Sequence, residues 1–160
     1  MIYIIDSSSF ICLSEKYPES VFETLYRNFN NAINIGILKA PNQVFNEIKK
    51  QNDSLYKWLK NYKNKFVINM DEYIINTAFN IIYKFPQLTK NEGLENTDDD
   101  PADPYVIATA IRFNEGINRE PVKIITEEGF KKNHIPDIAR KYGIISIKVL
   151  EFFTEMKWKF

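Results

Sequence analysis

Apolar residues in this chain fall into short solid runs separated by stretches with helical spacing. Ile2 to Ile5 is one such run, closed at once by Asp6. A run too short for a helix reads as a strand buried on both faces, the kind found in parallel sheets. Val122 to Thr126 and Ile144 to Ile147 read the same way, and Ile37-Leu38 before Pro41 is a weaker strand. Between them the spacing predicts helices. Residues 8–34 form two pieces broken at Pro18. Asn42 caps a helix to about Lys50. Another covers about 54–65, with Leu55, Trp58, Leu59, Tyr62 and Phe66 on one face. Val67-Ile68 is a brief extended link, and Asp71 caps a helix through Phe85. The polar stretch 86–101 reads as a loop or lid. A helix follows Asp103 to about Asn114, a short one covers Ile135 to Tyr142 with Gly143 closing it, and a last one spans Val149 to Met156. Apolar strands alternating with helices imply βαβ units. The expected fold is α/β, a three-layer α/β/α sandwich with a central parallel sheet, and residues 1–160 read as one domain.

The acids line up with the ends of these strands, where open parallel sheets bind ligands. Asp6 follows the first strand directly, and Glu127 and Glu128 follow the strand at 122–126. Glu47 borders the apolar positions Val44, Phe45 and Ile48 of its helix. Asp103 lies one turn before Val106 and Ile107 and shares their inward face. Four carboxylates converging there could not all stay ionised unpaired. Mg²⁺ or Mn²⁺ would resolve the repulsion, because hard cations take carboxylate oxygens. A carboxylate cage holding such an ion beside a phosphate is equipment for phosphodiester hydrolysis. Local readings compete. Asp103 before Pro104 also fits an N-cap with Pro at N1, and Asp98 to Asp100 also fit solvated loop charges, Asp100 being the best placed as a helper.

Composition adds boundaries. Of 160 residues, 21 are basic and 21 acidic, so net charge gives no reason to expect nucleic-acid binding and local patches must supply it. Lys57, Lys60 and Lys63 fall opposite the Leu55/Trp58/Leu59/Tyr62 face, a basic stripe able to track RNA phosphates or an ordinary solvated face. Lys131, Lys132 and Arg140 make a second patch. The single Cys12 excludes an internal disulfide and sets a cytoplasmic expectation. The amino-terminal apolar run is too short for a signal peptide or span, and no membrane association is expected. Ser7, Ser8 and Ser9 have no evident base, which argues against a serine hydrolase. His134 reads as structural. P-loop and dinucleotide fingerprints are lacking.

These segments resemble PIN domains. MIYIIDSSSFI is similar to that family's opening, with Asp6 and Ser8 in the positions of its first acid and the Ser or Asn two residues on. QVFNEIKK resembles the second acidic site, carried by Glu47, and ADPYVIATA the third, carried by Asp103. IITEE resembles the fourth, with Thr126 and Glu128 in its pattern and Glu127 as a rival. The stretch KKNHIPDIARKYGIISIKVLEFF is similar to a PIN-like subgroup of bacteria and archaea. The resemblance implies an Mg²⁺- or Mn²⁺-dependent endoribonuclease with Asp6, Glu47, Asp103 and Glu128 as catalytic acids, and Asp6, Asp103 and Glu128 as metal ligands. It implies the toxin of a toxin–antitoxin pair, with RNA as substrate, an antitoxin as partner and a homodimer as assembly. A catalytically silent PIN fold that binds RNA or protein, and an RNA-processing nuclease without an antitoxin, are the alternatives.

Overall fold

The computed structural model describes residues 1–90, 93–116 and 119–160. Five strands form one sheet in the order β3-β2-β1-β4-β5, all parallel. They are β1 (Ile2–Ile5), β2 (Leu38–Pro41), β3 (Val67–Ile68), β4 (Val122–Ile125) and β5 (Ile145–Ile147). β1 is central and buried along its whole length, as its unbroken apolar run requires. From β1 the chain adds β2 and β3 on one side, then crosses back to add β4 and β5 on the other. That reversal opens a crevice at the carboxyl ends of β1 and β4.

Helices cover both faces. On one side lie α1 (Ser7–Lys16), α2 (Glu23–Asn34), α4 (Asp53–Lys60), α5 (Lys63–Phe66) and α9 (Val149–Glu155). Their seam is aromatic: Phe29 stacks edge-on with Phe153 and packs against Phe152, Trp58 and Trp158. The other side holds α6 (Glu72–Lys84), α7 (Ala102–Glu115) and α8 (Ile135–Lys141). α7 packs beneath β1, β2 and β4 and is buried continuously from Pro104 to Ile111; its alanines let the backbone come close to the sheet. α3 (Asn42–Gln51) spans the top between α1 and α7.

Several expectations change at element ends. The second strand runs Leu38–Pro41, later than expected, so Asn42 is the first residue of α3 and does not cap it; its amide donates to Asp98 instead. The helix expected over 54–65 is two helices, α4 and α5, hinged at Asn61-Tyr62. Lys57 and Lys60 therefore sit on one helix and Lys63 on another, and the continuous basic stripe is broken. Asp71 caps α6 as expected, accepting from the Ile74 N–H at 2.9 Å. Gly143 closes α8 with φ +72°, the left-handed conformation glycine adopts without strain. The 86–101 stretch opens with a 3₁₀ turn at Pro86–Thr89. Residues 91 and 92 of it lie outside the described residues.

Candidate active site

Asp6 leaves β1 at the crevice and is 3% exposed. Its backbone N–H continues the sheet by donating to the Ile125 carbonyl at 2.9 Å, which fixes where the side chain emerges. Several donors hold the carboxylate, with the Ser7 hydroxyl a longer one at 3.4 Å. The Ser7 N–H donates at 2.8 Å, the Ser8 hydroxyl at 2.6 Å and the Thr126 hydroxyl at 3.1 Å. The Ser8 hydroxyl in turn accepts from the Glu127 N–H at 3.0 Å, and that of Thr126 from the Glu128 N–H at 3.2 Å. Ser8 and Thr126 thus clamp the loop after β4 to the loop after β1, and they orient Asp6.

Glu47 reaches the same place from α3. The Ser7 hydroxyl donates to it at 2.5 Å and the Ala102 N–H, at the start of α7, at 3.1 Å. Glu128 comes from the loop after β4 and accepts from the Ile135 N–H, at the start of α8, at 2.7 Å. His134 Nδ1 lies 3.7 Å from its other oxygen. Helix starts therefore hold three of the acids: Asp6 at α1, Glu47 at α7 and Glu128 at α8. Unpaired N–H groups and the helix dipole both favour an anion at such a position.

Asp103 differs. It lies in the first turn of α7, whose N-cap is Pro101, so the N-cap reading does not hold; Asp103 caps nothing. Its carboxylate takes no hydrogen bond from any described residue. Burial first, then the charges of Asp6, Glu128 and Glu47, drive its pKa well above the ordinary carboxylate range, with Lys90 working the other way. Asp6 is also raised, by burial, against the hydrogen bonds from Ser7, Ser8 and Thr126. Burial likewise raises Glu47, opposed by Ser7 and Ala102 and reinforced by the Asp6 charge. Glu128 is raised by burial, opposed by the Ile135 N–H and reinforced by Asp6. The Asp6 charge raises each of the other three, which is the electrostatic signature of a shared site. Among the described residues no three His, Cys, Asp or Glu side chains are already set to hold a metal ion. Glu47 and Glu128 are both turned to local donors.

The other candidates sort by contact. Glu127 turns away to accept from the Val149 N–H at 2.8 Å, holding the start of α9. Asp100 is bound up in its own loop: it accepts from the N–H groups of Glu95 and Asn96 at 3.0 Å each, and from the buried Tyr105 hydroxyl. Asp98 and Asp99 are exposed loop charges, as expected, and each has a partner. Asp98 takes the Asn42 amide at 2.7 Å, and Asp99 pairs with Lys50 at 2.5 Å. Lys63 stands over the Phe45 ring, 4.9 Å from its centre. Sequence reasoning passed over two groups at the site. Ser7 links Asp6 to Glu47, and Lys148 Nζ donates to the Glu127 and Glu128 carbonyls. Ser7 follows a strand-end acid directly, which is the signal that could have found it.

No curated protein matches the chain. Among solved structures, the chain is similar to VapBC2 from Rickettsia felis bound to a DNA fragment from their promoter. The TM-score is 0.53 at 15% identity, over 92% of this chain and 98% of that one. The likeness shows a shared fold, the α/β/α architecture with a parallel sheet that the sequence leads one to expect. Residues 3–160 match the domain of unknown function DUF4411, and the chain belongs to that family.

Proposed function

We propose that this protein is a divalent-cation-dependent ribonuclease, the toxin of a toxin–antitoxin pair, with Asp6, Asp103 and Glu128 as metal ligands and Glu47 as the fourth acid. The carrying observation is that Asp103, a carboxylate with no donor among the described residues, stands within the field of three other acids at the crevice between β1 and β4. The donor set fits Mg²⁺ or Mn²⁺: it is all oxygen, each acid's pKa is raised by burial, and the Asp6 charge raises those of Glu47, Asp103 and Glu128 further. Bound there, the ion would lower the pKa of a coordinated water and offset charge developing on the phosphate. The chain supplies positioning. Ser8 and Thr126 fix the Asp6 carboxylate. Ser7 and the Ala102 N–H keep Glu47 within reach. Support for the toxin role is the likeness to VapBC2; an antitoxin and a homodimer belong to the same proposal.

The test is hydrolysis of single-stranded RNA with Mn²⁺ or Mg²⁺ against EDTA, for wild type and Asp6→Asn. Metal-dependent cleavage by wild type alone is expected. Binding without cleavage would make the chain a silent RNA-binding module. Cleavage without growth inhibition on expression would make it a processing enzyme.

A further inference from the structure

A cavity of about 580 Å³ opens at the same carboxyl edge of the sheet, lined by Asn42, Lys63, Asn64, Asn69, Met70 and Asp98. Its size is that of a small-ligand site. Asn42 and Glu47 share α3, five residues apart, so the cavity and the acids are separated by about 7 Å along the helix axis. That is the scale of one nucleotide step in an extended strand. The strap from Asp98 to Ala102 runs between the two places, tied to Asn42 and Asn46 at one end and Glu47 at the other.

The lining is chemically selective. The amides of Asn64 and Asn69 are exposed and, among the described residues, make no hydrogen bond. Asn42 gives its N–H to one Asp98 oxygen at 2.7 Å, which leaves its own carbonyl and the second Asp98 oxygen as acceptors. Lys63 has no carboxylate partner among the described residues, and the Phe45 ring holds it in place. Met70, Val67 and Ile68 form a partly buried apolar floor. A planar ring fits that floor, and amides with a carboxylate oxygen fit its polar edge. Asp98 repels phosphate and Lys63 attracts it, so the base belongs at Asp98 and the backbone at Lys63. The Asp98 oxygen accepts from an exocyclic amine, as in adenine, cytosine or guanine. Against uracil it would face a carbonyl oxygen.

We propose that this cavity is a nucleobase subsite, taking a base with an exocyclic amino group from the RNA strand cut at the acids. The inference rests on the ribonuclease reading, so its test reads binding. Tetranucleotides of adenosine or uridine, 2′-O-methylated to block cleavage and fluorescently labelled, are titrated in Mg²⁺ with wild type, Asn64→Ala/Asn69→Ala and Asp98→Asn. Wild type is expected to bind the adenosine oligomer about tenfold more tightly than the uridine one. Both variants should lose that preference while keeping uridine affinity within about twofold. Equal affinity of wild type for both oligomers, or a preference that survives both variants, overturns the subsite. Hydrolysis of unmodified RNA is scored separately. A base preference without hydrolysis keeps the subsite and overturns the nuclease; hydrolysis without preference does the reverse.

Discussion

Asp103 is the acid whose surroundings offer it least, and that has a measurable cost. A carboxyl whose folded pKa lies above its unfolded one binds more protons when folded, in the interval between the two. Its contribution to stability is full below the unfolded value and is lost as pH rises through the folded one. Asp103 is raised well above its ordinary value by burial and by neighbouring acids. Asp103→Asn should therefore melt higher than wild type at pH 7, with the difference vanishing below about pH 3, where the carboxyl is protonated in both states. Thermal melts across pH check this; a variant that melts lower than wild type at pH 7 would contradict it. Mg²⁺ should raise the wild-type midpoint and leave that of the variant nearly unmoved. Ser7→Ala probes the neighbour. Burial already lifts Glu47, and the Ser7 hydroxyl opposes that lift. Removing the hydroxyl raises the Glu47 pKa further, so the acid limb of the pH–rate profile should move to higher pH. An unmoved limb would place Glu47 outside the titrating machinery.

Among the elements, the strap before α7 is held by two unlike fastenings. Its outer one, Lys50–Asp99, is exposed at both ends, with side chains 59% and 77% accessible. Lys50→Ala should leave the urea unfolding midpoint nearly unmoved, because solvent screens an exposed pair. The inner one joins Asp100 to the buried Tyr105 hydroxyl. Tyr105→Phe strips a donor from a buried carboxylate and should cost about 1–3 kcal/mol in urea unfolding. Comparable costs for the two variants would mean that the strap is not anchored from within. This inner fastening was invisible in the sequence, because the Asp100 partners are backbone N–H groups of Glu95 and Asn96 and a tyrosine on the following helix. Run by run, the pattern DDDPADPY looks like free charge. The break between α4 and α5 was hidden for another reason: Tyr62 continues the apolar period of α4 across the hinge. β1 and β4 were legible because strands buried on both faces leave unbroken apolar runs. Asp6, Glu47, Asp103 and Glu128 were legible as candidates because a parallel sheet delivers its carboxyl ends to one edge. The division between Glu128, which meets the cluster, and Glu127, which holds α9, depends on loop geometry that spacing does not carry.

At the scale of the whole molecule, the acids and the aromatic seam are far apart in role. The sheet's carboxyl edge carries the chemistry, while the α1/α2/α9 face carries the ring packing. Both tryptophans belong to that packing: Trp58 donates to Asn30 at 2.9 Å and lies against Tyr26, and Trp158 stacks on Phe153. Each also touches Phe29. Intrinsic fluorescence excited at the indole band therefore reports on one face of the protein and ignores the other. Emission should shift to the red in a single step when the chain unfolds, yet stay flat as Mg²⁺ or a short RNA is added. The molecule thus contains an optical gauge of its own integrity that is blind to occupancy. A titration read by a label at the cleft can be run beside an indole trace in the same cuvette, so that lost binding is told apart from lost fold.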